Sequence, residues 1–280
     1  SPQYGTIKSS ENYERRFIMT FPNETLPKGR KQKTTTLYDR FVNQGAVMGD
    51  SFGLENVLWF ANNKEDAHEE PTIKRSRSHD YVSKEVINVR ENVGLIEVAN
   101  FSKHEFKGPD ARKFLDHIMA GRLPKPGRIS LSPMLSYRGK LCGDLTVACL
   151  DENEFMVFGS GAAQEMHRRW FESHLDKFNL SYSNRSDEYH GLSIAGPNSR
   201  KVLEKIVRDD VSNEKFKFRD SRRMFVGGVP AIINRISFTG ELGYEIYVAP
   251  HYQLKLYEEL MEAGKEFNIK PFGGRALMSM

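Results

Sequence analysis

One design occurs twice in the sequence, as HEFKGPDARKFLDHIM (His104–Met119) and as GLSIAGPNSRKVLEKIV (Gly191–Val207). Each copy joins a short run of strand-forming residues, a Gly-Pro corner and a segment whose apolar residues recur at helical spacing. Proline suits the first turn of a helix, and glycine adopts backbone angles that are closed to other residues. The shared pattern GPxxRKxL predicts an internally duplicated strand-helix unit.

The segments around these copies predict a mixed architecture. Valines recur at helical spacing over residues 82–93, so we expect a helix there with Gly94 as its C-terminal cap. A hairpin loop, Thr239–Gly243, is predicted within RISFTGELGYEIYV (Arg235–Val248). Because helices and strands mix without a regular βαβα alternation, the predicted fold class is α+β with mixed, largely antiparallel sheets. The strands predicted between the two copies are Arg128–Leu135, Leu141–Leu150 and Glu154–Ser160.

Composition limits the possible partners. At 280 residues and 39% hydrophobic, the chain can bury one large core or two smaller ones. It has no run of 18 apolar residues and no signal-type start, so we expect no membrane partner and a cytoplasmic location, or the mitochondrial matrix in a eukaryote. Residues 1–33 hold seven Lys or Arg and three Glu, which accounts for the net charge of +4. We interpret the basic run KGRKQK (Lys28–Lys33) as a solvated linker rather than a nucleic-acid contact.

Common nucleotide and metal motifs are absent from the sequence. No GxGxxG or GxxxxGK[ST] pattern occurs, which leaves dinucleotide and nucleoside triphosphate sites without support. Cys142 and Cys149 are the only cysteines, and no CxxC or HxxxH spacing is present. We therefore expect neither a disulfide nor a structural metal.

Three charged residues are candidates for a binding site. Alternation in LCGDLTVACL places Asp144 on the less apolar face of its strand, where aspartate is disfavoured unless it has solvent, a partner or a function. Glu241 lies between two glycines of the hairpin loop, either as an exposed turn residue or as a carboxylate that accepts two N–H donors from a flat ligand. Arg275, at the start of a short predicted helix, is either a carboxylate clamp or a surface charge.

The order of these motifs resembles one protein family. The segments that carry the resemblance span residues 34–280 and are TTTLYDRFVNQGAVMGDSFGLENVLWF, VGLIEVANFSKHEFKGPDA, RISLSPMLSYRGKLCGDLTV, the second Gly-Pro helix, RISFTGELGYEIYV and KPFGGRAL. Together they resemble the folate-binding portion of aminomethyltransferase-type proteins such as the glycine cleavage T-protein. More narrowly, they are similar to the C-terminal half of flavin-dependent dimethylglycine and sarcosine dehydrogenases.

The resemblance implies a tetrahydrofolate site. Its pterin would be held by the carboxylate of the TGE loop, Glu241. The reacting nitrogens would lie near Asp144, which would act as a base or stabilise a cationic intermediate. The remaining residues that the resemblance places at the cofactor are Arg275, Tyr244, Ser160 and Leu131, the last of which stands where the family has a tyrosine.

Family organisation implies a longer polypeptide. Residues 1–60 would form an irregular lead-in that resembles the end of a flavoprotein half, and residues 61–280 would form the folate-binding domain, truncated before a C-terminal β-rich domain. FAD would bind only in the flavoprotein half. The folate module would capture a small amine-derived one-carbon unit as 5,10-methylenetetrahydrofolate. The alternatives are a stand-alone aminomethyltransferase or folate-dependent demethylase, and a non-catalytic folate-binding scaffold, whose relatives carry a KGC-type cysteine motif that this sequence lacks.

Overall fold

The computed structural model describes residues 2–22 and 24–280, so Ser1 and Asn23 of the predicted lead-in lie outside the described residues. The helices are α1 (Pro2–Glu14), α2 (Tyr38–Asn43), α3 (Ser78–Glu91), α4 (Ala111–Ile118), α5 (Gln164–Glu172), α6 (Ser199–Glu204), α7 (Gln253–Ala263) and α8 (Gly274–Leu277). The strands are β1 (Ala46–Ser51), β2 (Leu54–Phe60), β3 (Val93–Glu97), β4 (Phe101–Lys107), β5 (Arg128–Leu135), β6 (Leu141–Asp151), β7 (Glu154–Ser160), β8 (Ser181–Asn184), β9 (His190–Ala195), β10 (Ser221–Val226), β11 (Val229–Asn234), β12 (Gly243–Val248) and β13 (Ile269–Pro271).

Two larger sheets pack face to face between helices. The five-stranded sheet has the order β5-β6-β7-β4-β8, and the six-stranded sheet has the order β10-β11-β12-β9-β3-β13, in which β13 runs parallel to β3. Helices α4 and α5 cover the outer face of the five-stranded sheet, and α6 and α7 cover that of the six-stranded sheet. A third apolar cluster, which includes Ile129, Phe158 and Tyr247, fills the space between the sheets. This layered arrangement confirms the predicted α+β class.

Both predicted Gly-Pro corners are present. Gly108 and Gly196 adopt φ angles of 137° and 131°. Each glycine carbonyl accepts a backbone N–H from three residues further on, from Ala111 at 3.1 Å and from Ser199 at 3.0 Å. A Cβ on Gly196 would lie 2.6 Å from the carbonyl oxygen of Val89, so this corner requires glycine. The corners turn β4 into α4 and β9 into α6, and the two copies of the sequence design therefore share one local geometry.

The segment before residue 61 contains regular structure that the sequence analysis missed. Helix α1 and the β1–β2 hairpin replace the expected irregular lead-in. The buried Glu11 of α1 accepts hydrogen bonds from Lys8 Nζ at 2.9 Å and from the backbone N–H of Lys28 at 2.7 Å. Arg30 pairs with the buried Glu55. In the predicted solvated linker, Lys28, Lys31 and Lys33 are exposed, whereas the Lys28 backbone and the Arg30 side chain contact buried carboxylates that hydrophobic periodicity does not reveal.

The predicted end of the third helix is wrong. Helix α3 ends at Glu91, and Gly94 is a residue of β3 rather than a helix cap. A Cβ on Gly94 would lie 2.4 Å from Val89 and 2.7 Å from Phe272. The glycine therefore permits close packing against the strand instead of a left-handed turn.

The loop of the β11–β12 hairpin is longer than the predicted Thr239–Gly243. Strand β11 ends at Asn234, and the connection comprises residues 235–242. Arg235 extends the pairing of β11 with β10, since its N–H donates to the carbonyl of Asp220 at 2.9 Å. Residues 236–242 then connect to β12 outside the strands.

Candidate functional site

Two cavities lie where β6 of the five-stranded sheet meets β12 of the six-stranded sheet. The small cavity has a volume of about 380 Å³ and the large cavity about 570 Å³. Small-molecule sites typically occupy about 300–1,000 Å³. Four residues line both cavities: Phe101, Asp144, Thr146 and Glu245. This shared wall makes the two cavities one candidate site.

Strand register brings Asp144 to the shared wall. Leu145 of β6 packs into the core beneath α4 and α5, so the alternating residues Asp144 and Thr146 face the six-stranded sheet. Thr146 pairs with Leu131 of β5 on one side and with Phe158 of β7 on the other. Leu131 lines the large cavity and Phe158 the small one. One cross-strand row therefore forms the floor of the site.

Glu245 supplies a second carboxylate from the opposite sheet. It lies within β12 and is half-buried, and its Oε2 accepts a hydrogen bond from the Tyr247 hydroxyl at 2.9 Å. Burial raises the pKa of Glu245 to about 7, while the Tyr247 hydrogen bond and the charge of Lys103 act in the opposite direction. Glu245 therefore changes its charge near neutral pH, and its anion is a strong acceptor for N–H donors of a ligand.

The large cavity has an apolar rim. Leu131, Phe218 and Phe238 line it with 66%, 64% and 63% of their surfaces exposed. Exposed apolar side chains gathered at one place commonly mark a binding surface. Among the described residues that line the two cavities, only Arg219 carries a positive charge, and its Nε donates to the carbonyl of Ile129 at 3.0 Å. The site suits a ligand with a flat apolar body, donors on one edge and an anionic group.

Three of the residues expected from the sequence lie at the cavities. Asp144 lines both cavities and is exposed to them. Ser160, at the end of β7, lines the small cavity together with the adjacent Gly161. Leu131 lines the large cavity, where its aliphatic side chain offers apolar surface without a ring.

Glu241 does not share a cavity with Asp144, contrary to expectation. Its side chain is among the lining residues of neither cavity. Instead, its Oε1 accepts a hydrogen bond from Arg90 Nη1 at 2.6 Å, and Arg90 is an exposed residue at the end of α3. This ion pair holds the loop carboxylate on the surface.

Arg275 and Tyr244 also lie away from the cavities. Arg275 is held by Glu69 Oε1 at 2.9 Å and by Ser78 Oγ at 2.7 Å. Tyr244 is fully buried on the face of β12 that packs against α6 and α7, and its ring stacks on Phe216 with centroids 5.8 Å apart. Alternation along β12 explains the position of Tyr244, because it points opposite to Glu245.

Glu245 is a lining carboxylate that the sequence analysis did not identify. The signal was present, since alternation in GYEIYV places Glu245 and Tyr247 on one face of the strand. Glutamate, like aspartate, is disfavoured within a strand. The same reasoning singled out Asp144, but the two glycines beside Glu241 favoured the loop residue instead.

Metal-binding clusters, disulfides and membrane-spanning helices are absent from residues 2–22 and 24–280. No group of three or more His, Cys, Asp or Glu side chains there is arranged to hold a metal ion. Both cysteines are free thiols. Within the same described ranges, every helix is too short or too polar to cross a bilayer.

Comparison with known proteins identifies the family. A family model described as the GCVT N-terminal domain matches residues 37–280. The chain belongs to the GCVT N-terminal domain family. The match begins before residue 61, where the sequence analysis placed a domain boundary, and includes α2 and the β1–β2 hairpin.

Proteins similar to this GCVT-type chain include two kinds of enzyme. Mitochondrial dimethylglycine dehydrogenase of Mus musculus is 34% identical over 282 residues, which cover 99% of this chain and 32% of the relative. Aminomethyltransferase of Thermoanaerobacter pseudethanolicus is 30% identical over 188 residues, which cover 66% of this chain and 50% of the relative. The chain thus spans about a third of the length of the dehydrogenase.

A solved structure confirms the predicted fold. The GCVT-type chain superposes on the glycine cleavage system aminomethyltransferase T from Bartonella henselae with a TM-score of 0.72 at 22% identity, covering 88% of this chain and 61% of the other. The family match and the fold together confirm the resemblance drawn from the sequence motifs.

Proposed function

We propose that this chain is the tetrahydrofolate-binding, one-carbon-transfer module of an N-methyl amine dehydrogenase of the dimethylglycine or sarcosine type. The observation that carries the proposal is the shared cavity wall, where Asp144 and Glu245 meet from two different sheets. A pterin is flat and presents an amide N–H and an amino group along one edge. It therefore requires apolar walls and an acceptor carboxylate, and the site offers both.

The lining residues fit such a ligand. Tyr247 holds Oε2 of Glu245, and Oε1 would accept a donor from the pterin edge. Leu131 and Phe238 offer exposed apolar surface along the large cavity. Arg219 lies at the same cavity and would attract the carboxylates of the folate tail.

Asp144 would act at the reacting centre. Bound tetrahydrofolate would supply two nucleophilic nitrogens that each form a bond to the carbon of formaldehyde, whose oxygen leaves as water with the two N–H protons, and the product would be 5,10-methylenetetrahydrofolate. The Asp144 carboxylate would accept the proton that the reacting nitrogen releases, or stabilise positive charge on the incoming carbon. Enclosure between the two sheets would raise the effective concentration of the one-carbon unit near Asp144.

The comparisons favour a module of a longer protein over a stand-alone aminomethyltransferase, which is the second candidate. Similarity to the mouse dehydrogenase covers 99% of the chain, so it extends into α1, whereas similarity to the aminomethyltransferase covers 66%. The residues before 37 would then join a covalently attached flavoprotein half, which holds FAD, to the folate domain, whose family match begins at residue 37, and a β-rich domain would follow. The mitochondrial relative favours the matrix as the location in a eukaryote.

Calorimetric titration of the chain with folinic acid, a stable tetrahydrofolate derivative, tests this proposal. The matched control ligand is p-aminobenzoylglutamate, which has the folate tail but lacks the pterin. We expect the control to bind about tenfold or more weakly, because each charged hydrogen bond to the pterin edge contributes about 1.5–3 kcal/mol. Equal affinity for both ligands, or no binding of folinic acid, would contradict the proposal.

A further inference from the structure

Tyr247 occupies a position that is shaped for its ring. The residue is 1% exposed, and its ring stacks on Phe158 with centroids 4.6 Å apart. Gly191 pairs with it across the ladder, and a Cβ on Gly191 would lie 2.7 Å from Tyr247 Cε1. The ring is therefore fixed on both sides, and so is the hydroxyl that donates to Glu245 at 2.9 Å.

A buried lysine lies near the same ring. Lys103 of β4 has no exposed surface, and its Nζ lies 5.9 Å from the centre of the Tyr247 ring and donates to the carbonyl of Ala99 at 2.9 Å. Among the ion pairs in the described part of the chain, none involves Lys103. A buried ammonium without a paired carboxylate is destabilising. Burial lowers the pKa of Lys103 to about 7, and the charges of Asp187, Glu97 and Glu245 act in the opposite direction. Its presence calls for a role other than stability.

We propose that Tyr247 is a positioning residue for Glu245, assisted by Lys103. The hydroxyl orients the carboxylate, and the buried ammonium favours its anionic form, so that a ligand donor meets a charged and correctly aimed acceptor. This inference rests on the proposed function, in which Glu245 binds the pterin edge.

The other groups around Glu245 do not duplicate this effect. Asp144 lines the same wall from β6, and Arg219 lines the large cavity, but neither contributes to the pKa of Glu245, which burial raises and which Tyr247 and Lys103 lower. The ladder partners of Glu245 on the two neighbouring strands, Ser193 and Asn234, are uncharged.

Carbon-13 NMR of the unliganded chain, labelled at the glutamate side-chain carboxyls, tests the proposal. Glu245→Gln assigns the signal, and Tyr247→Phe keeps the ring while it removes the donor. We expect Tyr247→Phe to move the titration midpoint of Glu245 to higher pH, because the anion loses its hydrogen bond. We expect Lys103→Met to move it in the same direction. An unchanged midpoint in Tyr247→Phe would overturn the proposal.

Tyr257→Phe is the matched control. Tyr257 is a buried tyrosine of α7 whose hydroxyl donates to Gln44 Oε1 at 2.9 Å in the core outside the cavities. This variant loses the same kind of bond and should leave the Glu245 midpoint unchanged. A shift as large as that of Tyr247→Phe would mean that general loosening of the fold, rather than positioning, explains the result.

Binding of folinic acid gives a second readout. At pH 7 we expect Tyr247→Phe to bind about tenfold more weakly than wild type, with a smaller difference at pH 9, where Glu245 is ionised in both proteins. Lys103→Met should weaken binding and yet raise the unfolding temperature, because it removes a buried charge. A merely structural role predicts a pH-independent loss and a lower unfolding temperature. If wild type fails to bind folinic acid, the proposed function fails, while the NMR titration still decides the role of Tyr247.

Discussion

Glu241 and Glu245 lie four residues apart in the sequence, yet they occupy different environments. Glu241 belongs to the loop before β12 and pairs with Arg90 at the surface. Glu245 belongs to the strand itself, faces the other sheet and lines both cavities together with Asp144. The difference teaches that strand register, rather than flanking glycines, determines which of these two carboxylates lines the cavities.

The two carboxylates also differ in energetic terms. The Glu241–Arg90 pair joins an exposed arginine to a half-buried glutamate at the surface, and surface pairs contribute about 0–1 kcal/mol to stability. Burial of Glu245 works against its charged form and raises its pKa to about 7. The loop residue thus forms an ion pair outside the two cavities, whereas the strand residue places a carboxylate in their shared wall, where burial opposes its charge.

The largest effect is expected when the partner of Glu245 across the cavity is changed. Asp144→Asn should slow the chain-dependent formation of methylenetetrahydrofolate from formaldehyde and tetrahydrofolate by about 100-fold, because the proton acceptor is lost. Absorbance kinetics, corrected for the uncatalysed reaction, measure this rate. Asp151→Asn, an exposed aspartate at the end of the same strand, is the control and should retain the wild-type rate. Equal rates in Asp144→Asn and wild type would remove Asp144 from the chemistry.

The second-largest effect is expected in the pH dependence of folinic acid binding, which should depend on Glu245 and not on Glu241. Below its pKa of about 7 Glu245 is protonated and a poor acceptor, and above it the carboxylate is ionised. Wild-type affinity should therefore rise about tenfold between pH 6 and pH 8, as expected for one ionisation near pH 7. Calorimetry should show the same rise for Glu241→Gln and a flat profile for Glu245→Gln. A flat wild-type profile would contradict the assignment of Glu245.

As the pH rises, the contribution of Glu245 to thermal stability should become less favourable while the affinity for folinic acid increases. The folded-state pKa of Glu245 lies above its ordinary value of 4.5, so the folded protein holds this proton more tightly than the unfolded chain. The destabilising contribution of Glu245 therefore develops as the pH rises from about 4.5 to about 7 and is complete above that range. We expect Glu245→Gln to unfold at a higher temperature than wild type by a margin that grows from pH 5 to pH 8. Calorimetric scans measure this difference in unfolding temperature. A difference that shrinks from pH 5 to pH 8 would contradict the raised pKa of Glu245.

The smallest effect is expected at the surface pair. Glu241→Gln should lower the free energy of unfolding by about 0.2–1 kcal/mol at low ionic strength, and by less in 1 M salt, where exposed charges are screened. Denaturant titrations at the two salt concentrations measure the difference. A loss well above this range that persists in high salt would show that the loop carboxylate has partners beyond Arg90.

Much of the fold can be predicted from the sequence, because residue alternation and turn residues indicate the same strands and corners that the packing requires. The strands Arg128–Leu135 and Glu154–Ser160 were predicted with the bounds that the structure has, and Leu141–Leu150 extends one residue further. The Gly-Pro corners at Gly108 and Gly196 were predicted from residue types that only such turns require. These elements depend on alternation and turn chemistry, which are local.

The missed features depend on contacts that are distant in the sequence. Helix α1 is polar, and Glu11 is satisfied by the Lys28 backbone across a loop. The position of Glu241 depends on Arg90 of α3, and the importance of Glu245 depends on how two sheets pack together. Alternation alone placed Glu245 on a face of β12 but did not show that the face borders a cavity.

Calorimetric titration of folinic acid into Glu245→Gln and Glu241→Gln at pH 8 compares the two carboxylates most directly. If strand register selects the ligand's acceptor, Glu245→Gln loses about tenfold or more in affinity, while Glu241→Gln stays within about twofold of wild type. Wild-type affinity in Glu245→Gln together with a large loss in Glu241→Gln would contradict this account. The pterin would then bind to the loop carboxylate Glu241.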